Sequence, residues 1–405
     1  MKNWLAEHID FLVLFVVGCL LTIGIVSIYS ATYDTGSRAF FHKQMIFAGI
    51  GAIFMIVIIA MPFRTLQLLS VALYGISIIM LAMVLIAGKI VAGSKSWFGI
   101  GGFGMQPSEL VKITTILALA SFLSQRNRNL RRFKDIALAF GIALIPVFLI
   151  LMQPDMGTAI IYMGTLLLIL YWAGASNFLL LTLLAPGAAA LASLISTTAF
   201  IIVIALTLII LFVLRENRLL AAITFSLTVL VGASTTFIFN KLAPHQQKRI
   251  LTFLYPDADP LGAGYNVAQS KIAIGSGGVF GKGFLHGTQT QLNFLPAQWT
   301  DFIYCVPSEE FGFLGAFLIL LLLTILLLRG VKIASMVKSR YASIVVIGIV
   351  STLAVHTTIN IGMSMGMLPV IGVPLPFLSY GGSNLITNMI MVGLLLHMYA
   401  NRKEY

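Results

Sequence analysis

The sequence predicts an all-α fold, a polytopic bundle of transmembrane helices, and three observations support this class. Of the 405 residues, 59% are hydrophobic and only 9% are charged, which is more apolar surface than a soluble domain of this length can bury. Apolar runs long enough to cross a bilayer recur along most of the chain. Alternation with a period of two residues is absent, which argues against a transmembrane barrel. We therefore expect residues 1–405 to form one integral membrane domain.

The apolar runs and the basic clusters together predict the topology. We predict twelve spans, at about 10–31, 44–61, 66–88, 110–124, 136–152, 157–173, 178–195, 199–214, 219–240, 311–329, 341–362 and 383–400. With an even number of spans both termini lie in the cytoplasm. The basic clusters then face the cytoplasm as well, as the positive-inside rule requires; they lie at 126–134, 215–218, 329–340 and 402–403.

Two features of the spans qualify this assignment. The first apolar run is longer than the core of a signal peptide and other spans follow it, so we expect a retained helix. Pro186 and Gly187 interrupt the run at 177–196, which leaves a re-entrant or broken helix open as an alternative.

The distribution of charge excludes several classes of function. The formal net charge of +12 comes largely from the loop clusters, which indicates membrane anchoring and not nucleic-acid binding. Cys19 and Cys305 form no disulfide framework or metal motif, and six scattered histidines give no helical pair for a metal. No ionisable residue is expected at the middle of a span, where ion-coupled transporters usually carry one. We therefore expect the chemistry at the outer face.

The long loop 241–310 is predicted to lie outside the membrane as an ordered cap, anchored by apolar residues such as Phe280, Phe284 and Phe294. Its segment 275-GSGGVFGKG-283 is not a nucleotide-binding P-loop, because Ser276 occupies the first glycine position and Gly283 follows the lysine. Two interpretations stay open: a flexible turn, or backbone amides and Lys282 that hold an anion.

Three carboxylates crowd the end of this loop, at Asp301, Glu309 and Glu310. An aspartate with an ordinary pKa of about 3.9 is an anion at pH 7 and is available as a base. Asp301 is flanked by Trp299 and Phe302, and it is either such a base or the cap of a helix.

Segment 94-SKSWFGIGGFGMQPSELVK-112 enters a helix through Pro107, with Ser108 as the candidate cap. Lys112 follows Glu109 by one turn on the same helix face. The two charges are either a capping feature or a functional pair just below the outer surface. Further along, 153-QPDMGT-158 is typical of a turn, and 368-LPVIGVPLPFLSYGGS-383 is predicted to shape backbone that lines a cavity.

Together these segments resemble the SEDS family (shape, elongation, division, sporulation) of membrane proteins from the first span to the last. The motifs that carry the resemblance are QPSE-x2-K (106–112), QPD-x-GT (153–158), PDADPLGAGYN (256–266), QSKIAIGSGG (269–278), GTQTQLNFLP (287–296), TDFIY (300–304) with Glu309 and Glu310, and PVIGVPLPFLSYGGS (369–383). The segment GTQTQLNFLP resembles the elongation branch of this family more than its division branch.

The resemblance implies a multi-pass peptidoglycan glycosyltransferase in the bacterial cytoplasmic (inner) membrane, which polymerises lipid II at the outer face during cell elongation. It also implies a class B penicillin-binding transpeptidase as partner, together with other cell-elongation machinery. The family's catalytic aspartate falls on Asp301, and its conserved Glu and Lys fall on Glu109 and Lys112.

On this basis we expect Asp301 to act as general base. Four lysines are candidates to neutralise the leaving diphosphate: Lys43, Lys112, Lys271 and Lys282. The remaining substrate-binding candidates lie in the same outer segments: Trp97, Gln106, Ser108, Glu109, Glu309 and Glu310. A divalent cation, Mg²⁺ or Mn²⁺, is compatible with this chemistry, but the sequence shows no dedicated metal cage.

The chain departs from the family pattern in four places. Trp299 stands where histidine is usual, Ala297-Gln298 lacks the usual acid, and Lys43 and Ser96 replace common arginines. Lysine lacks the bidentate fork of arginine, which weakens the case for Lys43 as a diphosphate contact. The family usually has ten spans, so two of our twelve are surplus, within about 177–240.

Three other functions stay open at this point. They are a flippase or transporter of lipid-linked sugars, a scaffold that recruits the cell-wall machinery, and a different polyprenyl-diphosphate glycan ligase.

Overall fold

The computed structural model describes residues 9–33, 38–91, 93–100, 103–130, 132–214, 218–241, 247 and 263–403. Within these ranges every predicted span coincides with a helix. In chain order they are α1 (Phe11–Ala31), α2 (Ala39–Ala60), α3 (Phe63–Ala87), α4 (Pro107–Leu123), α5 (Phe133–Leu151), α6 (Met156–Trp172), α7 (Asn177–Ile195), α8 (Thr197–Leu214), α9 (Arg218–Lys241), α13 (Gly312–Met336), α14 (Arg340–Ser364) and α15 (Gly382–Ala400).

Ten of these helices are long and apolar enough to cross a membrane. The other two, α4 and α6, have 17 residues each; α6 is apolar, while α4 carries Glu109 and Lys112 in its first two turns. The chain is therefore a multi-pass helical membrane protein, which confirms the predicted fold class. The cytoplasmic placement of both termini stays a prediction.

Helices α7, α8 and α9 form a group that packs on itself far more than on the rest of the bundle. Pro186 lies inside a continuous α7, so the alternative of a broken helix is wrong. Thr182 and Thr224 share a hydrogen bond of 3.0 Å between α7 and α9, and Gly232 of α9 lies directly under the ring of Phe200. The two surplus spans that we predict within 177–240 belong to this group.

A small antiparallel sheet between α3 and α4 was not predicted. Its strands are β1 (Lys89–Val91), β2 (Ser94–Ile100) and β3 (Phe103–Met105), in the order β1-β2-β3. The hydroxyl of Ser94 donates to the carbonyl of Gln153 at 2.5 Å. The sheet thereby joins the start of α4 to the turn before α6.

The described part of the long loop contains three helices, α10 (Ala263–Ser276), α11 (Thr288–Gln291) and α12 (Cys305–Glu310). Residues 242–246 and 248–262, which include most of the PDADPLGAGYN motif, lie outside the described residues. Of the predicted apolar anchors, Phe280 is 82% exposed and Phe294 is also exposed, whereas Ile274 packs against the core and Phe284 stacks on Tyr29 of α1. The loop is also anchored by buried residues that were not predicted: Val267, Ala273, Leu295 and Phe302.

Helices α14 and α15 are the most buried of the ten long apolar helices. Helix α14 packs against α4, α6, α13 and α15, so its side chains reach into the centre of the bundle. The large buried core gathers around these helices, from Val13 and Leu20 of α1 to Leu394 and Met398 of α15. This arrangement makes α14 the element on which the outer loop and the polar residues of α4 meet.

Candidate functional site

Asp301 lies in the turn between α11 and α12, and its side chain is half-buried. Its N–H donates to the carbonyl of Ala297 at 3.1 Å, and its carbonyl accepts from Nδ2 of Asn360 at 2.9 Å. A Cβ at Gly372 would lie 3.4 Å from Oδ2 of Asp301, so the carboxyl faces the backbone at 372. Backbone contacts therefore fix the position from which this carboxyl can act. Asp301 caps no helix, because the residue that precedes α12 is Tyr304.

The proline-rich segment 369–381 wraps around this turn. The hydroxyl of Ser379 donates to the carbonyl of Thr300 at 2.6 Å and accepts from the N–H of Leu375 at 2.7 Å. The N–H of Tyr380 donates to the carbonyl of Trp299 at 2.8 Å. The irregular backbone that the sequence indicated thus cradles residues 299–301.

Helix α2 brings Lys43 to the same region. Phe40 stacks on Trp299 with 5.5 Å between ring centroids, and it meets Tyr380 edge-on at 4.9 Å. Lys43 follows Phe40 by one turn on the same helix face. Gln44 is buried and donates to the carbonyl of Ser379 at 3.2 Å, which fixes α2 against the proline-rich segment. Lys43 itself is half-buried and forms no ion pair with any described residue.

Lys271 reaches the region from α10. Its side chain passes over Gly366, whose φ of +72° favours glycine. The hydroxyl of Ser270 donates to the carbonyl of Ser364 at 2.8 Å, which fixes α10 to the end of α14. Lys271 is exposed, and within the described ranges no acidic side chain pairs with it.

Glu109 and Lys112 form a buried ion pair at the start of α4, with 2.9 Å from Nζ to the carboxylate. Lys112 also donates to Nε2 of His356 at 2.9 Å, and Nδ2 of Asn384 donates to Glu109 at 3.2 Å. Asn388 extends this hydrogen-bond network, because its Nδ2 donates to Oδ1 of Asn384 at 2.9 Å. Lys112 is therefore saturated by protein groups, and its charge does not reach the surface.

Sequence reasoning missed His356, Asn360, Asn384 and Asn388. The expectation that no ionisable residue falls at the middle of a span passed over His356, which sits inside α14, eight residues before the helix ends, and is fully buried. A usable signal was present, since an ionisable side chain inside an apolar helix usually serves a function. Asn384 and Asn388 also stood one turn apart on one face of α15, which the apolar composition of that helix obscured.

The start of α4 differs from the prediction. The residue that precedes the helix is Gln106, Pro107 occupies its first position, and Ser108 lies inside it, so Ser108 is not the cap. The hydroxyl of Ser108 is buried without a hydrogen-bond partner among the described residues, while its carbonyl accepts from Tyr162 at 2.8 Å. Gln106 instead donates through Nε2 to Asp155 at 3.1 Å and through its N–H to Ser383 at 3.0 Å.

Asp155 caps α6 by accepting from the N–H of Thr158 at 3.0 Å. The contact with Gln106 therefore joins the QPSE and QPD motifs to each other. Trp97 lies in β2, half-buried, with its ring packed over Gly104. These side chains build the surface between the sheet, α4 and α15.

Glu309 and Lys282 form a second ion pair, in the outer loop, at 2.8 Å. The same carboxylate accepts from the N–H groups of Gln289 at 2.9 Å and Thr290 at 3.0 Å. Burial raises the pKa of Glu309, but the Gln289 and Thr290 amides and the Lys282 ammonium together lower it below its ordinary value. Glu309 is therefore a buried carboxylate that ties α11 to segment 275–283.

Glu310 is also buried, but it differs from its neighbour in its partners. Its Oε1 accepts from the hydroxyl of Ser30, from the N–H of Leu285 at 3.0 Å and from Nε2 of Gln291 at 3.4 Å. Burial raises the pKa of Glu310 above its ordinary value, which these hydrogen bonds offset only in part. The residue joins the outer end of α1 to the loop.

The described residues include no cluster of three His, Cys, Asp or Glu side chains that could hold a metal ion. Asp301, Glu309 and Glu310 are near one another in sequence, but the latter two are saturated by loop and α1 groups. The described residues therefore do not fit a resident divalent cation, and we derive no step through one.

Comparison with known proteins agrees with this architecture. A family model described as "Cell cycle protein", which covers FtsW, RodA and SpoVE, matches residues 9–200 and 194–404. The chain is 37% identical over 398 residues to stage V sporulation protein E of Bacillus subtilis, with 96% of each chain covered. It is 34% identical over 427 residues to peptidoglycan glycosyltransferase RodA of Treponema pallidum, with 97% of this chain and 98% of the relative covered.

Among solved structures, the chain is similar to a chain of a peptidoglycan synthase complex, described for its structural coordination of polymerization and crosslinking. The TM-score is 0.75 and the identity 29%, and the match covers 98% of this chain and 99% of the other.

Proposed function

The chain belongs to the FtsW/RodA/SpoVE family of cell cycle proteins, as its resemblance to the SEDS proteins predicted, and from that premise we propose that it is a peptidoglycan glycosyltransferase. It polymerises lipid II into glycan strands at the outer face of the cytoplasmic membrane. The elongation-type segment at 287–296 and the similarity to RodA support a role in cell elongation.

The observation that carries this proposal is the half-buried side chain of Asp301 on a fixed backbone turn, in the region reached by two helices whose lysines, Lys43 and Lys271, have no acidic partner in the described chain. Asn360 and Ser379 hold the backbone of the turn, so the carboxyl can keep its place while the substrates move past it. Phe40 and Ser270 fix the helices that carry Lys43 and Lys271 against the same turn and the end of α14. A base and cations without acidic partners in the described residues suit glycosyl transfer, because the hydroxyl loses a proton while negative charge develops on the leaving diphosphate.

In the reaction, the 4-hydroxyl of one lipid-linked sugar attacks the anomeric carbon of the other. Asp301 accepts the hydroxyl proton as the new C–O bond forms. The bond from the anomeric carbon to the diphosphate oxygen breaks, and polyprenyl diphosphate leaves with the electron pair. General-base catalysis of this kind contributes about 10²–10⁴-fold to the rate.

The four candidate lysines divide into two pairs. Lys112 and Lys282 are committed to Glu109 and Glu309, so they do not offer a free charge to the leaving group. We assign the diphosphate to Lys43 and Lys271, whose ammonium groups have no acidic partner in the described chain. Their charge would stabilise the negative charge that develops on the leaving oxygen.

The partner we propose is a class B penicillin-binding transpeptidase, which cross-links the new strands. The similarity to a complex in which polymerization and crosslinking are coordinated supports a partnership of this kind.

The test is polymerisation of labelled lipid II by the purified protein, with and without a cognate class B transpeptidase, comparing wild type with Asp301→Asn. The variant keeps the backbone hydrogen bonds of the turn, so it removes the base and leaves the scaffold. We expect long glycan from the wild type and a loss of at least about 100-fold in the variant.

Two results would contradict the proposal. Equal product from both proteins would remove Asp301 from the mechanism. No product from either, while a known polymerase works in parallel, would favour transport or scaffolding. Thermal unfolding of both proteins shows whether the variant has kept its fold.

A further inference from the structure

We propose that His356 and Asn360, one turn apart on α14, are positioning residues that clamp the proline-rich segment against the Asp301 turn. The inference rests on the proposed role of Asp301 as base. It assigns a function to two buried polar side chains that the reaction itself does not use, and it explains why a saturated ion pair lies next to them.

Three hydrogen bonds define the clamp. Nδ2 of Asn360 donates to the carbonyl of Asp301 at 2.9 Å and to the carbonyl of Val373 at 2.7 Å. The imidazole of His356 bonds through Nδ1 to the carbonyl of Pro374 at 3.1 Å. The two side chains thus grip consecutive carbonyls of the segment whose neighbouring Gly372 faces the Asp301 carboxyl.

Lys112 decides the direction of these hydrogen bonds. An ammonium group only donates, so Nε2 of His356, at 2.9 Å from Nζ, must accept. The proton of the neutral ring therefore lies on Nδ1, which donates to Pro374. Glu109 in turn compensates the charge of Lys112. The buried pair consequently acts through His356: it selects the tautomer that holds the segment in place.

Burial makes the clamp effective. His356 and Asn360 are both fully buried, so water cannot replace a hydrogen bond that is lost. If residues 373–374 shift, the support of the Asp301 turn shifts with them. A displacement of about 1 Å at a reacting group can cost about 100-fold in rate.

Three substitutions of His356 separate its two contacts. In His356→Asn, the amide nitrogen takes the place of Nδ1 and keeps the donor to Pro374. In His356→Gln, the longer side chain reaches the place of Nε2 and keeps the acceptor for Lys112. His356→Leu loses both contacts. The matched control is Thr357→Val, which removes a buried hydroxyl of the same helix that has no partner among the described residues.

Two measurements are made on each purified full-length variant. Polymerisation of lipid II gives kcat and KM. Hydrogen–deuterium exchange of residues 297–304 and 372–380 reports on the clamp without any need for activity. We expect His356→Leu and His356→Gln to lower kcat at least about tenfold with KM within about twofold. Exchange in both segments should be about tenfold faster, the effect of one lost buried hydrogen bond on local opening.

His356→Asn should stay within about threefold of wild type in kcat and exchange, because the Pro374 contact remains. The proposal is overturned if His356→Leu exchanges and turns over like Thr357→Val. It is also overturned if His356→Gln recovers as fully as His356→Asn, since the contact to Lys112 would then suffice. If the wild type itself makes no glycan, the proposed function fails, while the exchange data still decide whether the clamp exists.

Discussion

Lys282 and Glu309 lie 2.8 Å apart, with the carboxylate fully buried and the lysine side chain about one quarter exposed. The sequence alone allowed two interpretations of segment 275–283, a flexible turn or an anion site. The structure favours an anion site, and the anion is the protein's own Glu309 carboxylate. This carboxylate accepts hydrogen bonds from Lys282 and from two backbone N–H groups of α11. The glycines of this segment hold it close to α12: a Cβ at Gly281 would lie 2.0 Å from the carbonyl oxygen of Glu310.

Glu309→Gln is expected to destabilise the protein by about 2 kcal/mol at pH 7, because a buried and fully paired carboxylate is lost. The pKa of Glu309 is lowered in the folded state, so its contribution is present above the ordinary glutamate pKa and disappears as the pH falls through the lowered value. Thermal unfolding in detergent between pH 3 and pH 7, values chosen to bracket that range, should show a difference from wild type that shrinks toward the acid end. A difference independent of pH would contradict this account.

For Glu310→Gln we expect the opposite dependence of stability on pH. Burial raises the pKa of Glu310, so the stability that it contributes is complete below the ordinary glutamate pKa and is lost as the pH rises through the raised value. Glutamine keeps an oxygen that accepts from Ser30 and Leu285 without the cost of a buried charge. The melting temperature at pH 7 should therefore be equal to or above that of wild type. A loss as large as that of Glu309→Gln would show that the charge itself is needed.

The contrast between Glu309 and Glu310 shows which features of the site the sequence could predict and which it could not. The spans could be predicted because apolar runs are local signals, and a family motif named Asp301 as the candidate base for the same reason. The pairing of Glu309 with Lys282, 27 residues away, and of Glu310 with Ser30, 280 residues away, depends on packing that periodicity does not report. The family motif singled out Asp301 among the three acids, but only the structure shows that Glu309 and Glu310 are buried while Asp301 is half-buried.

Other misses have local physical reasons. Ser108 looked like a helix cap, but Pro107 fits the first helical position and moves the cap to Gln106. The sheet at 89–105 was hidden because its strands are short and rich in glycine, with little apolar alternation. His356 was dismissed because the histidines form no metal-binding pair in sequence, whereas its actual partner is a lysine of another helix.

Lys112→Met is expected to cost about 3–5 kcal/mol of stability, because it leaves Glu109 as an uncompensated charge inside the bundle. The double variant Glu109→Gln with Lys112→Met removes both charges and should recover a large part of that loss. Thermal unfolding of the two single variants and the double variant gives the coupling energy. Additive losses would mean that the pair contributes nothing beyond its separate side chains.

Lys43→Gln and Lys271→Gln are expected to lower kcat/KM for lipid II about tenfold each, because each removes a charge that stabilises the leaving diphosphate. Neither lysine has an acidic partner in the described chain, so the melting temperatures should stay close to that of wild type. Lys43→Arg should keep the activity, since arginine binds phosphate at least as well. Steady-state rates at several lipid II concentrations provide the measurement.

The matched control for these charge removals is Lys332→Gln, an exposed lysine near the opposite end of α13 from the outer loop. It lowers the net charge by the same amount, so it separates local contact with the diphosphate from a general electrostatic effect. A loss of activity in Lys332→Gln equal to that in the two site variants would point to the overall field. Full activity in both site variants would mean that the diphosphate is held elsewhere. A lysine that acts by direct contact should also make kcat/KM less sensitive to ionic strength once it is removed, because one screened ion pair is gone.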